Sequence, residues 1–177
     1  MARALIIVAD GFTDSEFTYA LDRCREEDID VLVATVTGKD AIGEKGWKAK
    51  AEVSTVMLSE LYASSNAELF DILLLPGGVK SIEKVRQDSA TLDIIGLHYD
   101  ANRIIGTMCH GAQLLIEAGL ARGRKISGYY SIKTDIINAG GEYVKGVVTD
   151  GTIVSAPHYD FNGKWMRAVI EAWKQQK

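Results

Sequence analysis

The chain has 177 residues, 47% hydrophobic and 25% charged, with a formal net charge of −4. That length supports one domain with a sizeable core, and the composition is that of an ordinary globular protein. No run of Lys or Arg is long enough to track a phosphate backbone, which argues against nucleic acid as a partner. The apolar N-terminal run is far too short to span a membrane, and it lacks the features of a secretory signal. Cys24 and Cys109 show no metal or disulfide spacing, so a reducing, cytoplasmic setting is expected.

Residues 4–9 form a continuous apolar run, the pattern of a parallel strand buried on both faces. Asp10 and Gly11 break it, and Phe17, Ala20, Leu21 and Cys24 then recur at helical spacing. Residues 30–36 read as a second strand. Residues 38–57 carry Gly43 and Gly46 among β-prone residues, which predicts a small hairpin or irregular excursion, with a further short strand at 54–57. Residues 71–75 are the next buried strand, stopped by Pro76-Gly77-Gly78. A helical region covers 81–99 with a break at Asp88 and Ser89, followed by a strand at 103–108. The helix after Cys109 closes at Gly119, a residue type expected just past a helix end. Residues 125–129 read as a short strand and 131–139 as a helix stopped by Gly140 and Gly141. Residues 143–148 and 152–154 read as a hairpin around Asp150-Gly151. A last amphipathic helix opens at Asn162 or Gly163 and runs to Trp173.

Strands alternating with helices predict an α/β fold whose mostly parallel sheet is covered on both faces. A flavodoxin-like, three-layer arrangement in a single domain over residues 1–177 fits best. Sites in such sheets lie outside the carboxyl ends of the strands. Three loops fall there: 10–16, 76–79 and Cys109-His110.

The stretch from Ile104 to Ile116 has the layout of a nucleophile elbow: an apolar strand, a cysteine at once, then a helical pattern. Helix N-terminal N–H groups favour negative charge and lower a thiol's pKa. They can also hold an oxyanion. His110 is placed to act as a base or to stabilise the thiolate. A cysteine after a strand is also a common small core hydrophobe, and core packing is the reading adopted for Cys24. Glu16 admits two readings. Thr13-Asp14-Ser15-Glu16 fits a capping box, and the carboxyl could instead enter the Cys109 pocket, where burial and a thiolate would raise its pKa. Pro76-Gly77-Gly78 is a turn, and a backbone N–H of Gly78 or Val79 with that of His110 would make an oxyanion hole. His158, in Ser155-Ala156-Pro157-His158-Tyr159-Asp160, follows a late strand and is placed to bond substrate or to serve as a base. Tyr129 and Tyr130 line the pocket or simply pack, and His98 receives no role. The chain lacks GxSxG, HExxH, GxGxxG and Walker patterns, so no metal or cofactor is expected.

Four segments, in order, resemble the DJ-1/PfpI/ThiJ superfamily, in its PfpI-like branch. They are residues 9–17 with Glu16, residues 73–78 with the Gly-Gly loop, the elbow at 109–116, and the downstream segment 131–144. The resemblance covers nearly the whole chain. It implies a class I glutamine-amidotransferase-like fold, Cys109 as nucleophile, His110 as its partner and Glu16 against the sulfur. It also implies a Glu beyond the Gly-Gly loop reaching a neighbouring subunit's site. Glu83 is the nearest residue for that role, one position beyond the usual spacing. Two other departures stand out. Ala112 occupies a position where the family commonly has Pro, and Ala156-Pro157-His158-Tyr159 replaces an Arg-containing segment, offering His158 in place of a cation.

The function so implied is a Cys109-dependent enzyme acting on a small carbonyl or a peptide or amide group. Glyoxalase III-type, deglycase and amidase or peptidase chemistry are the activities to expect. The alternative is a stress-response redox sensor in which Cys109 is oxidised. A homo-oligomer, dimer or hexamer, is expected by the same resemblance.

Overall fold

The computed structural model describes residues 2–176. Among them, a seven-stranded sheet has the order β10-β11-β7-β6-β1-β2-β5. Its strands are β1 (Arg3–Val8), β2 (Asp30–Thr35), β5 (Val53–Ser54), β6 (Ile72–Leu75), β7 (Ile104–Met108), β10 (Val148–Asp150) and β11 (Ile153–Ala156). All neighbours pair in parallel except β10 with β11. The continuous apolar runs account for this: β6 and β7 are buried at every residue, as a strand covered on both faces must be.

Two apolar layers flank the sheet. On one face α1 (Asp14–Glu26) packs beside α7 (Asn162–Lys174), joining Phe17, Cys24, Trp165 and Val169 to Ile6 and Leu74. On the other lie α2 (Thr55–Ala63), α3 (Val79–Val85), α4 (Ser89–Asp100), α5 (Ala112–Glu117) and α6 (Lys133–Asn138), where Leu58, Ile82, Ile94 and Leu115 meet Leu73 and Ile105. This is the flavodoxin-like, three-layer arrangement expected from the sequence.

Local departures have physical causes. Residues 54–57 are not a strand: β5 ends at Ser54, whose side chain accepts from the Met57 N–H at 3.1 Å and caps α2. Such a cap stabilises a helix start by about 1 kcal/mol. The helical region after the Gly-Gly turn divides where expected, because the Asp88 side chain accepts from the Thr91 N–H and starts α4. Tyr143 does not join the hairpin. It lies in β9 (Glu142–Tyr143), which pairs in parallel with β8 (Lys125–Ile126) in a separate two-stranded sheet. The hairpin is confined to β10 and β11 around Gly151. The excursion contains β3 (Ala41–Ile42) and β4 (Lys48–Ala49), an antiparallel pair.

Candidate active site

Cys109 lies where β7 gives way to one 3-10 turn, Cys109–Gly111, and then to α5. Its φ is +58°, a left-handed backbone that costs a non-glycine residue roughly 1–2 kcal/mol. The turn is that tight because β7 lies against β6. A Cβ on Gly111 would stand 2.3 Å from the Leu75 carbonyl oxygen, so only glycine fits there. The elbow turns the thiol into a cavity of 290 Å³, and Cys109 remains 7% exposed.

Glu16 arrives from the first turn of α1 and is fully buried. It is not the capping residue that its local pattern allows. Thr13 stands at the N-cap with no side-chain bond to the helix. Instead Glu16 Oε2 accepts the Gly77 N–H at 2.7 Å. Gly77 has to be glycine for this approach, since a Cβ would meet Cys109 Cβ at 2.7 Å and Glu16 Oε2 at 2.9 Å. Oε1 has no hydrogen-bond partner that meets ordinary geometry, and the neighbouring group is the Cys109 sulfur. Burial pushes the Glu16 carboxyl up to about 7, against the Gly77 hydrogen bond and with help from the Glu44 charge. Carboxyl and sulfur can therefore share a hydrogen bond, the thiol donating to an ionised Glu16 or a protonated Glu16 donating to the sulfur.

The thiol itself is pushed up, first by burial and then by the Glu16 charge. This opposes the lowering expected from a helix N-terminus. The N–H groups of His110 and Gly78 are directed at the sulfur and act in the lowering direction. When Glu16 holds its proton the charge repulsion is absent, so carboxyl and thiol share one proton economy.

His110 Nδ1 stands 3.4 Å from Cys109 Sγ, and Nε2 stands 3.4 Å from Ser131 Oγ. Burial lowers its pKa, which keeps the ring neutral near pH 7 and able to accept a proton. It stacks on Tyr129 at 4.9 Å, and the Tyr129 N–H donates to the Cys109 carbonyl at 3.0 Å. His158 also lines the cavity, with Tyr159 against it at 3.7 Å and Tyr129 at 5.9 Å. Its Nδ1 is engaged by Asp160, 3.1 Å from Oδ2.

The remaining expected residues divide. Gly78 and Val79 both line the cavity, and Gly78 is the one whose N–H meets the sulfur. Glu83 lies outside it. It pairs with Arg86 at 3.2 Å and lines a neighbouring groove of 800 Å³ that contains neither Cys109 nor His110. Its charge nonetheless reaches His110 of the same chain. His98 is buried far from this cluster, with Nδ1 2.8 Å from the Ile94 carbonyl. Glu44 and Tyr159 also line the cavity, and no sequence motif points to either. Tyr159 adjoins His158 in sequence, whereas nothing local marks Glu44. Among the described residues no group of acidic, Cys and His side chains could hold a metal ion, and no helix is long and apolar enough to cross a membrane.

A cysteine on a strained strand-to-helix turn, with a buried carboxyl and a histidine at its sulfur, defines a cysteine-elbow protein on a parallel α/β sheet. The model described as the DJ-1/PfpI family matches residues 2–172, and the chain belongs to that family. It is 33% identical over 173 residues to "Deglycase PfpI" of Pyrococcus furiosus, covering 97% of this chain and 99% of that protein. It is 35% identical over 147 residues to "Protein/nucleic acid deglycase 2" of Escherichia coli, covering 82% and 81%. Drosophila melanogaster DJ-1beta shares the fold at a TM-score of 0.84 and 23% identity, with 99% and 97% covered. A two-domain protein of Anabaena variabilis, with DJ-1/ThiJ/PfpI-like and ferritin-like domains, gives a TM-score of 0.88 at 24% identity. This chain spans about half that protein's length, 97% of itself against 48% of the other.

Proposed function

We propose that the protein is a Cys109-dependent enzyme of glyoxalase III or deglycase type, acting on small carbonyl compounds. One observation carries the reading: a thiol on a left-handed turn faces a cavity with the Glu16 carboxyl, the His110 ring and two N–H groups converging on its sulfur. Relatives that bear the name deglycase along nearly their whole length support the class of reaction.

The Cys109 sulfur adds to the aldehyde carbon of a 2-oxoaldehyde, and the oxygen takes up the thiol proton through Glu16 or His110, giving a hemithioacetal. The N–H groups of His110 and of Gly78 or Val79 hold the developing oxyanion. A base, His110, Glu16 or His158, moves the hydrogen from the first carbon to the second, which leaves a thioester and a 2-hydroxy group. Water then cleaves the thioester to the 2-hydroxy acid and returns the thiol. An amide or peptide substrate would use the same sulfur, with the amine leaving in place of the hydrogen shift.

The test is methylglyoxal consumption with lactate detection, without glutathione, in wild type and Cys109→Ala. Cysteine-dependent lactate formation is the expected result. Equal consumption by both proteins overturns the reading. The buried Glu16 carboxyl beside the Cys109 sulfur favours a second reading, a peroxide sensor, since a protonated carboxyl would stabilise a sulfinate. Stoichiometric gain of two oxygens on Cys109 under mild peroxide, with no turnover of any carbonyl, would select it.

A further inference from the structure

Glu44 reaches the Cys109 cavity from the excursion between β2 and β5. It sits in the turn joining β3 to β4, and that turn is fixed to the elements bearing the site. The Glu44 N–H donates to the Phe12 carbonyl at 2.9 Å. The Asp14 carboxylate accepts from the Lys45 N–H at 2.8 Å and the Trp47 N–H at 2.7 Å. Asp14 belongs to the same first turn of α1 as Glu16. The Glu44 side chain is exposed, lines the cavity, and its charge is felt by Glu16.

The charges around the cavity are one-sided. Its lining contains the carboxyls of Glu16 and Glu44 and neither Lys nor Arg. Asp160 adds a third acidic group beside His158. Lys80 and Lys84 line the adjoining groove, which Glu44, Val79 and Glu83 also line, and Lys84 pairs there with Asp10 at 3.3 Å. Part of the cavity lining is aromatic, with the Tyr159 and Tyr129 rings 3.7 and 5.9 Å from the His158 ring. Aromatic faces attract cations, and a carboxylate lining the same cavity adds to that attraction.

We propose that Glu44 is a specificity-determining residue of the Cys109 site, selecting carbonyl substrates that carry an ammonium or guanidinium group over neutral and anionic ones. The proposal rests on Cys109 as the reacting group of the enzyme described above. The cationic end of the substrate lies between Glu44 and the Tyr159 ring while its carbonyl meets the sulfur. Inside the cavity an anionic substrate meets Glu44 and neither Lys nor Arg.

Thiol labelling tests the charge selection without requiring turnover. Methanethiosulfonate reagents bearing an ethylammonium, an ethylsulfonate or a methyl group share one reactive head and differ in charge. Their rates at Cys109 are read by peptide mass spectrometry and normalised to free cysteine. At low salt the ammonium-to-sulfonate ratio in the wild type should be about tenfold, fall about threefold in Glu44→Gln, and invert in Glu44→Lys. The methyl reagent should label all three proteins within about twofold, which controls for folding. A wild-type ratio of one, or the same ratio in all three proteins, overturns the proposal. Methylglyoxal turnover is scored separately. A wild type that shows the labelling preference but turns over neither methylglyoxal nor a carbonyl compound bearing an ammonium group sinks the enzyme reading and leaves the selection by Glu44 standing.

Discussion

Cys24 and Cys109 belong to one apolar cluster beneath the same face of the sheet. Both are buried, and burial pushes both thiols up, that of Cys24 to about 12. Cys24 sits inside α1 with full burial and a regular helical backbone. Cys109 sits on a left-handed turn at the floor of a cavity, with two N–H groups, a carboxyl and an imidazole at its sulfur. Burial alone therefore makes a thiol inert. Chemistry requires the turn that exposes one side of the sulfur and the donors that meet it there.

The largest expected effect breaks the comparison outright. Cys109→Ala should lower carbonyl turnover at least about a thousandfold, whereas Cys24→Ala should leave it within about twofold. Steady-state kinetics on both variants decides this, and a comparable loss in the two would mean that Cys109 acts only by packing. Next comes the carboxyl that distinguishes the two sites. Glu16→Gln keeps the shape and removes the proton, so turnover should fall about a hundredfold. In the wild type, the proton on Glu16 is lost as pH rises through about 7. Activity should fall over that range, and the limb should be missing from the residual activity of Glu16→Gln.

The same carboxyl is set against His98 at a site remote from the cavity. Glu16 in the folded protein titrates at about 7 against an ordinary 4.5, so the folded state holds the proton more tightly. Its contribution to stability is full below 4.5 and is lost as pH rises to about 7, amounting to roughly 3 kcal/mol. His98 is lowered from 6.5 to about 4 by burial, so the folded state excludes the proton. Its contribution is full above 6.5 and is lost as pH falls towards 4, again roughly 3 kcal/mol. Urea unfolding at several pH values should show opposing slopes. Glu16→Gln should remove the loss on the alkaline side, and His98→Asn the loss on the acid side. Parallel curves for wild type and both variants would contradict the burial of these groups.

What the sequence disclosed follows the range of the interactions. The strands and the elbow were legible because a buried parallel strand is written as an apolar run and the cysteine follows it directly. Helix α2 was not legible. Val56 and Met57 are exposed apolar residues, and they blur the stripe formed by Leu58 and Tyr62. The partner of Tyr143 is not legible either, because its parallel pairing with β8 joins segments that no turn connects. Glu16 illustrates competition between ranges. Its capping pattern is local and correct in spacing, yet burial draws the carboxyl to Gly77, 61 positions away. Glu44 reaches the cavity only through hydrogen bonds from its turn to Phe12 and through the grip of Asp14 on that turn, and no spacing rule encodes them.

The smallest effect is also the sharpest on the two cysteines, since it concerns the backbone alone. In α1, glycine in place of alanine costs about 1 kcal/mol, because glycine loses more freedom on entering a helix. At φ +58° the order reverses. Alanine keeps the clash of a Cβ with its own backbone, whereas glycine adopts that conformation freely. Cys24→Gly should therefore be less stable than Cys24→Ala by about 1 kcal/mol, and Cys109→Gly more stable than Cys109→Ala by a similar amount. Comparing alanine with glycine at each site cancels the loss of the sulfur, which both variants share. The thermal midpoints of the four variants thus read the strain at the elbow separately from the packing of the thiol. The same sign at both positions would mean that the elbow relaxes when its side chain is cut back. In that case the left-handed turn would be held by the Cys109 side chain, rather than by the approach of Gly111 to Leu75.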